Sequence, residues 1–424
     1  MNFARNCRTF SSVLLFFVSA QISAQVKPLS LSDYLKAALE KHPLLKSAEQ
    51  VKSSAVYGSE AVQQGYYPQI GIGSHFIAAP GYDEAVTNGG ELGAQITASY
   101  LLYDGGARSF EIQKAGLGVD QGSLNQDRTR ADIVYTVSTA FVTAVKEKRE
   151  LEVVEQEYRQ LHEYLQLVTQ LHAAGQGGEI DVLKTTVELN NVQIDIDARR
   201  TSSRNSLLSL AQAAGLPLME VTDVDTSVLA PSYDTTFAAT RSVDLASQQL
   251  LLKQAELDAQ IAGAKMRPNI SVGADAGALT SLPNLQPGLT NVFGASLGLS
   301  VTLPIFTFGS VENMYNAAEA MAKGISLQSD YARSSFESDF IATRNSVERA
   351  HSAIGALLNN LSVAEQNLLL SRARYAGGSG LSLEVLDALR TVNQIQLAVE
   401  EARFQMQTGI FKLNRLNYSG VHQD

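Results

Sequence analysis

The sequence predicts an α+β membrane protein: paired β-strands of the membrane-spanning type joined to very long antiparallel helices. Three observations lead there. Four runs of about ten residues alternate strictly between apolar and small or polar side chains. Two proline-poor stretches keep an apolar stripe with spacings of three and four, the rhythm of a coiled-coil seam. The same landmarks then recur in order about 200 residues later.

The repeat sets the domain plan. "YPQIGIG" at Tyr67–Gly73 recurs as "RPNISVG" at Arg267–Gly273, and "LYDGGA" at Leu102–Ala107 as "IFTFGS" at Ile305–Ser310. The stretch from His172 to Thr186 has the shape of the one from Tyr375 to Leu389, with Gly175 matching Gly378 and Asp181 matching Glu384. Half one is expected over 29–217 and half two over 241–418, with a Thr-, Ser- and Asp-rich linker at 218–240. In each half a helical segment comes first (Leu31–Gly65, Val243–Met266) and a proline, Pro68 or Pro268, stops it. Asp33, after Ser30 and Ser32, suits a helix start.

The strand pairs follow. Ile70, Ile72, Ser74 and Phe76 alternate with Gln69, Gly71, Gly73 and His75; Leu92, Ala94, Ile96, Ala98, Tyr100 and Leu102 with Gly93, Gln95, Thr97 and Ser99. Ile270 to Ala278 and Phe293 to Leu303 alternate likewise in half two. The second face is Gly, Ser, Thr and Gln rather than Lys and Glu, which fits a lumen better than bulk water. Loops at Pro80–Gly90 and Ser281–Asn291 join the pairs. Four strands do not close a barrel, and lipid does not tolerate open edges, so several chains must share one. Two chains give eight strands and a filled interior; three give twelve and a pore. The helix from Arg108 to Ala173 contains no proline; at 1.5 Å per residue it is about 100 Å long. Its seam runs through Leu151, Val154, Tyr158, Leu161, Leu165 and Val168, and that of half two through Leu357, Leu361, Ala364, Leu368, Ser371 and Tyr375. After each glycine turn a partner helix returns, Ile180–Ala214 and Ser382–Leu416.

Composition excludes other classes. Residues 1–24 read as a secretory signal peptide: Arg5 and Arg8, then the short apolar run Ser11–Ala20, then small residues, with Ala24 and Ala20 as the candidate cleavage positions. The single cysteine, Cys7, lies inside that segment, so a mature chain has no disulfide or thiolate metal site. Without the signal the chain carries 31 basic and 43 acidic residues, which argues against nucleic acid. No remaining apolar run reaches the roughly 18 residues of a transmembrane helix. Gly294-Ala295-Ser296-Leu297-Gly298 matches the nucleophile-elbow pattern but lies inside an alternating strand, where that chemistry does not work. His42, His75, His162, His172, His351 and His422 nowhere pair at metal-ligand spacing. No enzyme, cofactor or metal is expected.

The residues resemble the TolC family of outer-membrane channel-tunnel proteins over essentially the whole mature chain. The carriers are "HPLLKSAEQ" at His42–Gln50, "YPQIGIG", "LYDGGA", "RPNISVG", "LPIFTFG" at Leu303–Gly309 and "GLSLEVLDA" at Gly380–Ala388. The resemblance implies a homotrimer whose four strands per chain build one 12-stranded β-barrel in outer-membrane lipid. Its helices continue as an antiparallel coiled-coil tunnel across the periplasm. It implies an export duct of a tripartite efflux or type I secretion system, with a periplasmic adaptor and an inner-membrane ABC or proton-driven transporter as partners. Glu384 and Asp387 fall where the family has the acidic ring that narrows the closed tunnel and favours cations. Tyr375 and the half-one counterpart Asp181 fall among the entrance contacts, and Gly175, Gly178, Gly378 and Gly380 at the tip turns that meet the adaptor. Gly380 departs from the family, which has a basic residue there. The competing class is a structural or adhesive trimeric coiled-coil rod at the cell surface.

Overall fold

The computed structural model describes residues 29–80, 82, 89–217, 223–227, 236–281 and 292–418. The predicted signal peptide, most of both strand-connecting loops and much of the linker lie outside these residues.

The chain opens with α1 (Leu31–Lys41) and α2 (Pro43–Gln64), where the sequence predicts one helix. The break is at His42: Pro43 has no N–H and restrains the residue before it, so His42 is extended and its Nδ1 accepts from the Leu44 N–H at 3.2 Å. At the start of α1, Ser30 and Asp33 form a reciprocal capping box. The strands β1 (Gln69–Ala78) and β2 (Gly90–Asp104) lead into α3 (Ala107–Ala173) and its return helix α4 (Glu179–Ala213). A short 3-10 turn at Ala239–Arg241 precedes α5 (Val243–Ala264), β3 (Asn269–Ser281), β4 (Phe293–Thr302), α6 (Ser310–Ala376) and α7 (Ser382–Leu416). α3 and α6 are each 67 residues long, about 100 Å, and α4 and α7 are each 35. Among the described residues no helix is long and apolar enough to cross a membrane.

The four strands form one antiparallel sheet in the order β1-β2-β3-β4, with β1 and β4 at the edges. Its register sorts the side chains into two faces. Ile72, Ile96, Ala276 and Ala295 stand in one cross-strand row, and Ile70, Ala98, Ala274 and Leu297 in the next. On the opposite face Gly71, Thr97, Asp275 and Ser296 form a row, and Gly73, Gln95, Gly277 and Gly294 another. Among the described residues the apolar face has no cover: Ile70, Ile72, Phe76, Leu297 and Leu299 are all exposed. Leu102 departs from the expected alternation. A β-bulge lies between Leu101 and Tyr103, so Tyr103, not Leu102, stands opposite Ile270 in the apolar row.

The helical part has three separate cores strung along its length. One surrounds Tyr34, with Phe141, Val137, Leu210 and Val224. A second joins Phe340, Val347, Ile410 and Leu413. The third, nearest the helix tips, unites α3, α4, α6 and α7 through Leu161, Val168, Val192, Leu368, Val385 and Leu389. The predicted seams are present: Val154, Leu161 and Val168 are buried on α3, and Ala364, Leu368, Ser371 and Tyr375 on α6. Of the linker, Val224 bridges Leu29 in parallel, and the Asp225 N–H donates to the Leu29 carbonyl at 3.2 Å.

Tyr34 is the largest fully buried side chain; its ring centroid lies 5.9 Å from that of Phe141 and its hydroxyl donates to the Asp223 carbonyl at 3.3 Å. Tyr34→Ala is expected to destabilise this core by about 3 kcal/mol, seen as a lower thermal midpoint of the helical circular-dichroism signal in detergent. A variant that melts with the wild type would separate this core from the rest of the fold.

Candidate functional site at the helix tips

Two helix hairpins end side by side. α3 closes through Ala174 and Gly175, α6 through Gly377 and Gly378. Gly175 and Gly378 both have φ of 73°, the left-handed conformation that ends a helix without a Cβ penalty. The Gln176 N–H donates to the Leu171 carbonyl at 2.8 Å, and the Ser379 N–H to the Arg374 carbonyl at 2.9 Å, so both hairpins turn by the same hydrogen bonding. Gly178 is extended and caps α4.

Gly380 is held for a different reason. A Cβ there would lie 2.9 Å from the Tyr375 backbone nitrogen and 3.0 Å from the Arg374 Cβ. The turn is too tight for any side chain at this position, so the basic residue expected from the resemblance does not fit this backbone.

The charge arrives from another direction. Arg374, on the last turn of α6, places Nη1 3.6 Å from the Glu384 Oε2 and donates through Nη2 to the Ser379 carbonyl at 3.4 Å. Glu384 and Asp387 share one face in the first turns of α7, where acids also complement the helix dipole. Glu384 is half-buried and tied to Arg374; Asp387 is exposed. Each carboxylate thus has a cation nearby, Arg374 for Glu384 and Arg390 for Asp387, and the two differ chiefly in exposure. The sequence reading missed Arg374. Its signal was adjacency to Tyr375 and a separation from Glu384 that the tight turn spans.

Tyr375 and Asp181, expected as entrance contacts, meet across the two hairpins: the phenol donates to Oδ2 at 3.3 Å. The Tyr375 ring packs edge-on against Tyr164, 5.6 Å between centroids, and the Tyr164 hydroxyl donates to the Ser382 Oγ at 2.9 Å. Burial pushes both phenols up, and the Asp181 carboxylate pushes Tyr375 up further. Both therefore remain neutral donors across the physiological range. α4 and α7 are also clamped: Arg390 donates from Nε to Glu188 at 2.6 Å and from its second nitrogen to the other carboxylate oxygen.

Glu157 was also missed. It is buried on α3, and desolvation, then the carboxylates of Glu188 and Asp195, push its pKa from 4.5 to about 7 against the opposing pull of Arg390. No spacing rule marks it, because its three charged neighbours lie on two other helices.

Residues 34–216 and 237–416 match the outer membrane efflux protein family. The chain belongs to that family. The outer membrane protein TolC of Vibrio cholerae is 23% identical over 420 residues, covering 95% of this chain and 94% of the relative. TolC of Escherichia coli is 21% identical over 407 residues, 91% of this chain and 80% of the relative. Among solved structures, the VceC outer membrane protein of Vibrio cholerae superposes with a TM-score of 0.80 at 17% identity, over 92% of this chain and 97% of that one. This efflux protein is thus a TolC-type channel protein of the bacterial outer membrane that extends into the periplasm.

Because the folded-state pKa of Glu157 lies above its ordinary value, the protonated form favours the fold. That contribution is complete below the ordinary carboxylate range and is lost as pH rises through about 7. Glu157→Gln is expected to match the wild type in thermal midpoint at pH 4 and to exceed it by roughly 3 °C at pH 8. Equal midpoints at both pH values would show the carboxyl to be solvated. Gly380→Arg is expected to lower the midpoint through the tight turn, so adding the basic residue displaces the tip instead of securing it.

Proposed function

We propose that three copies of this chain build one export duct, with a 12-stranded barrel in the outer membrane and a helical tunnel across the periplasm. The observation that carries this reading is the sheet. It has one largely apolar face, exposed at Ile70, Ile72, Phe76, Leu297 and Leu299, one face of small and polar residues, and two unpaired edges. In lipid such edges must be paired, and twelve strands in a closed ring pair them while leaving a lumen. The helices, about 100 Å long, carry the lumen away from the membrane.

The narrow point is at the tips. Glu384 and Asp387 form the constriction, with Arg374 beside Glu384 and Arg390 near Asp387, and three copies of the more exposed Asp387 contribute most to the cation preference. Asp181 and Tyr375 hold the two hairpins of each copy together in the resting state. The turns at Gly175, Gly178, Gly378 and Gly380 are the surface offered to a periplasmic adaptor. The chain conducts passively; energy comes from an inner-membrane ABC or proton-driven transporter that the adaptor bridges to it. The two repeats, 29–217 and 241–418, each supply two of the twelve strands, an equivalent sixth of the barrel and tunnel wall, on either side of the linker at 218–240.

Planar-bilayer recordings of purified protein test this. Small cation-selective openings are expected. A unit charge about 8 Å from a permeating ion in water contributes about 0.5 kcal/mol, roughly twofold in relative permeability. Asp387→Ala removes three such charges from the trimer, about 1.5 kcal/mol in all, and should lower cation preference by about tenfold, and Arg374→Ala should raise it. A folded trimer that stays silent even with Tyr375→Phe and Asp181→Ala loosening the tips would overturn the duct in favour of a structural rod.

A further inference from the structure

The chain repeats its plan with two fixed offsets. α2 and β1 start at Pro43 and Gln69, α5 and β3 at Val243 and Asn269, an offset of 200. α3 and α4 start at Ala107 and Glu179, α6 and α7 at Ser310 and Ser382, an offset of 203. The backbone repeats as well. The left-handed pair Gly105 and Gly106, with φ of 73° and 94°, recurs as Phe308 and Gly309, with φ of 51° and 80°.

The β2–β3 seam joins the second strand of repeat one to the first strand of repeat two. The free edges, β4 and β1, are the same two kinds of strand. Applying the offsets to the β2–β3 register sets Leu299 opposite Phe76 of the partner subunit, as Ile96 stands opposite Ala276. It sets Thr302 opposite Gly73 of the partner subunit, as Ser99 stands opposite Gly273. Apolar rows meet apolar rows and polar rows meet polar ones, a parity that a slip by one residue would destroy. The strand lengths fit the same scheme. β2 continues to Asp104 because β3 covers it, whereas β4 stops at Thr302 and its equivalent stretch, 303–307, pairs with no strand among the described residues.

At the foot of this seam the two junctions cannot be alike. Inside the chain, Arg267 donates from Nη1 to the Gly105 carbonyl at 2.8 Å. The approach is so close that a Cβ on Gly105 would lie 2.4 Å from the Ala264 carbonyl oxygen and 2.8 Å from the Arg267 Cβ. At the boundary between copies, Phe308 takes the place of Gly105, and Tyr67 and Gln64 those of Arg267 and Ala264. A phenylalanine does not fit the Gly105 spacing, so the boundary junction must be wider. Large apolar side chains wait uncovered on both sides of it: Phe308 is 88% exposed, Phe306 75% and Tyr67 66%. Phe306 and Phe308 already contact each other, with ring centroids 4.4 Å apart. Phe308 also adopts a left-handed conformation that costs about 1–2 kcal/mol, while among the described residues its ring is touched by Phe306 and otherwise faces outward.

Resting on the shared-barrel reading, we propose that Phe306 and Phe308 of one copy close over Ile70 and Tyr67 of the partner subunit. This forms an aromatic seal at the foot of each subunit boundary, in place of the glycine–arginine lock inside the chain. Burial of three aromatic rings on a widened seam supplies contact that the backbone approach at Gly105 supplies elsewhere.

Paired cysteines test it in the full-length protein expressed in outer membranes, since its single native cysteine lies in the predicted signal peptide. Tyr67→Cys with Phe308→Cys, treated with a short bismaleimide, should give intermolecular dimers and trimers, with each single variant at background. Thr302→Cys with Gly73→Cys should link as well and reports the register alone. Links at Thr302/Gly73 without links at Tyr67/Phe308 would overturn the seal while leaving barrel and register standing. A trimer that links at neither pair would overturn the register and the seal together. A monomer would instead sink the shared-barrel reading from which both follow. Phe308→Gly, which the left-handed backbone accepts, should fold yet dissociate at a lower temperature in SDS than the wild-type trimer; an unchanged dissociation temperature counts against the seal.

Discussion

The constraint on which the rest of this structure depends is that a backbone in lipid must pair all of its hydrogen-bonding groups. Each chain brings four strands with a consistent apolar face and leaves one unpaired edge on each side. Taken alone, that sheet is unfinished: its apolar face has no core behind it and its edges have no neighbours. The proposed assembly follows from completing it. The internal duplication makes completion economical, because the edge β4 offers to the next copy is built on the same plan as the edge β2 offers to β3.

The helical part solves a different problem. A helix about 100 Å long cannot bury itself in a single globular core, so the chain distributes three small cores along it and lets narrow seams join the helices between them. The wall that results is thin. Near the tips, polar contacts join one helix to another: Arg390 with Glu188, Tyr375 with Asp181, Arg374 with Glu384. Near the tips these contacts sit on the four-helix core of α3, α4, α6 and α7, so a change of tip conformation has to reorganise a packed aromatic pair, Tyr164 and Tyr375, and not merely separate surface charges.

The site shows how a family pattern can shift between residues. The position at which the resemblance leads one to expect a basic side chain is Gly380, and the hairpin around it leaves no room for a Cβ. A cation is still present near the acids, on Arg374, but it is directed at Glu384 within its own hairpin. The two acids that the sequence presents as an equivalent pair thereby become unequal.

The sequence by itself determined the elements whose cause is local. Alternation of side chains placed the four strands and sorted their faces; spacings of three and four placed the helical seams; glycines placed the two tip turns; and the repeated landmarks placed the two halves. Each of these signals is carried by residues near one another in the chain. Only the tertiary structure decided what depends on distant residues or on fine geometry. The break at His42 was within reach of the sequence through Pro43, but the bulge that moves Leu102 out of the apolar row depends on how β2 pairs with β3. The partnership of Arg374 with Glu384, the exclusion of a side chain at Gly380 and the raised pKa of Glu157 require three-dimensional neighbours on separate turns and helices. Periodicity records which way a side chain points along its own element; it does not record what stands opposite.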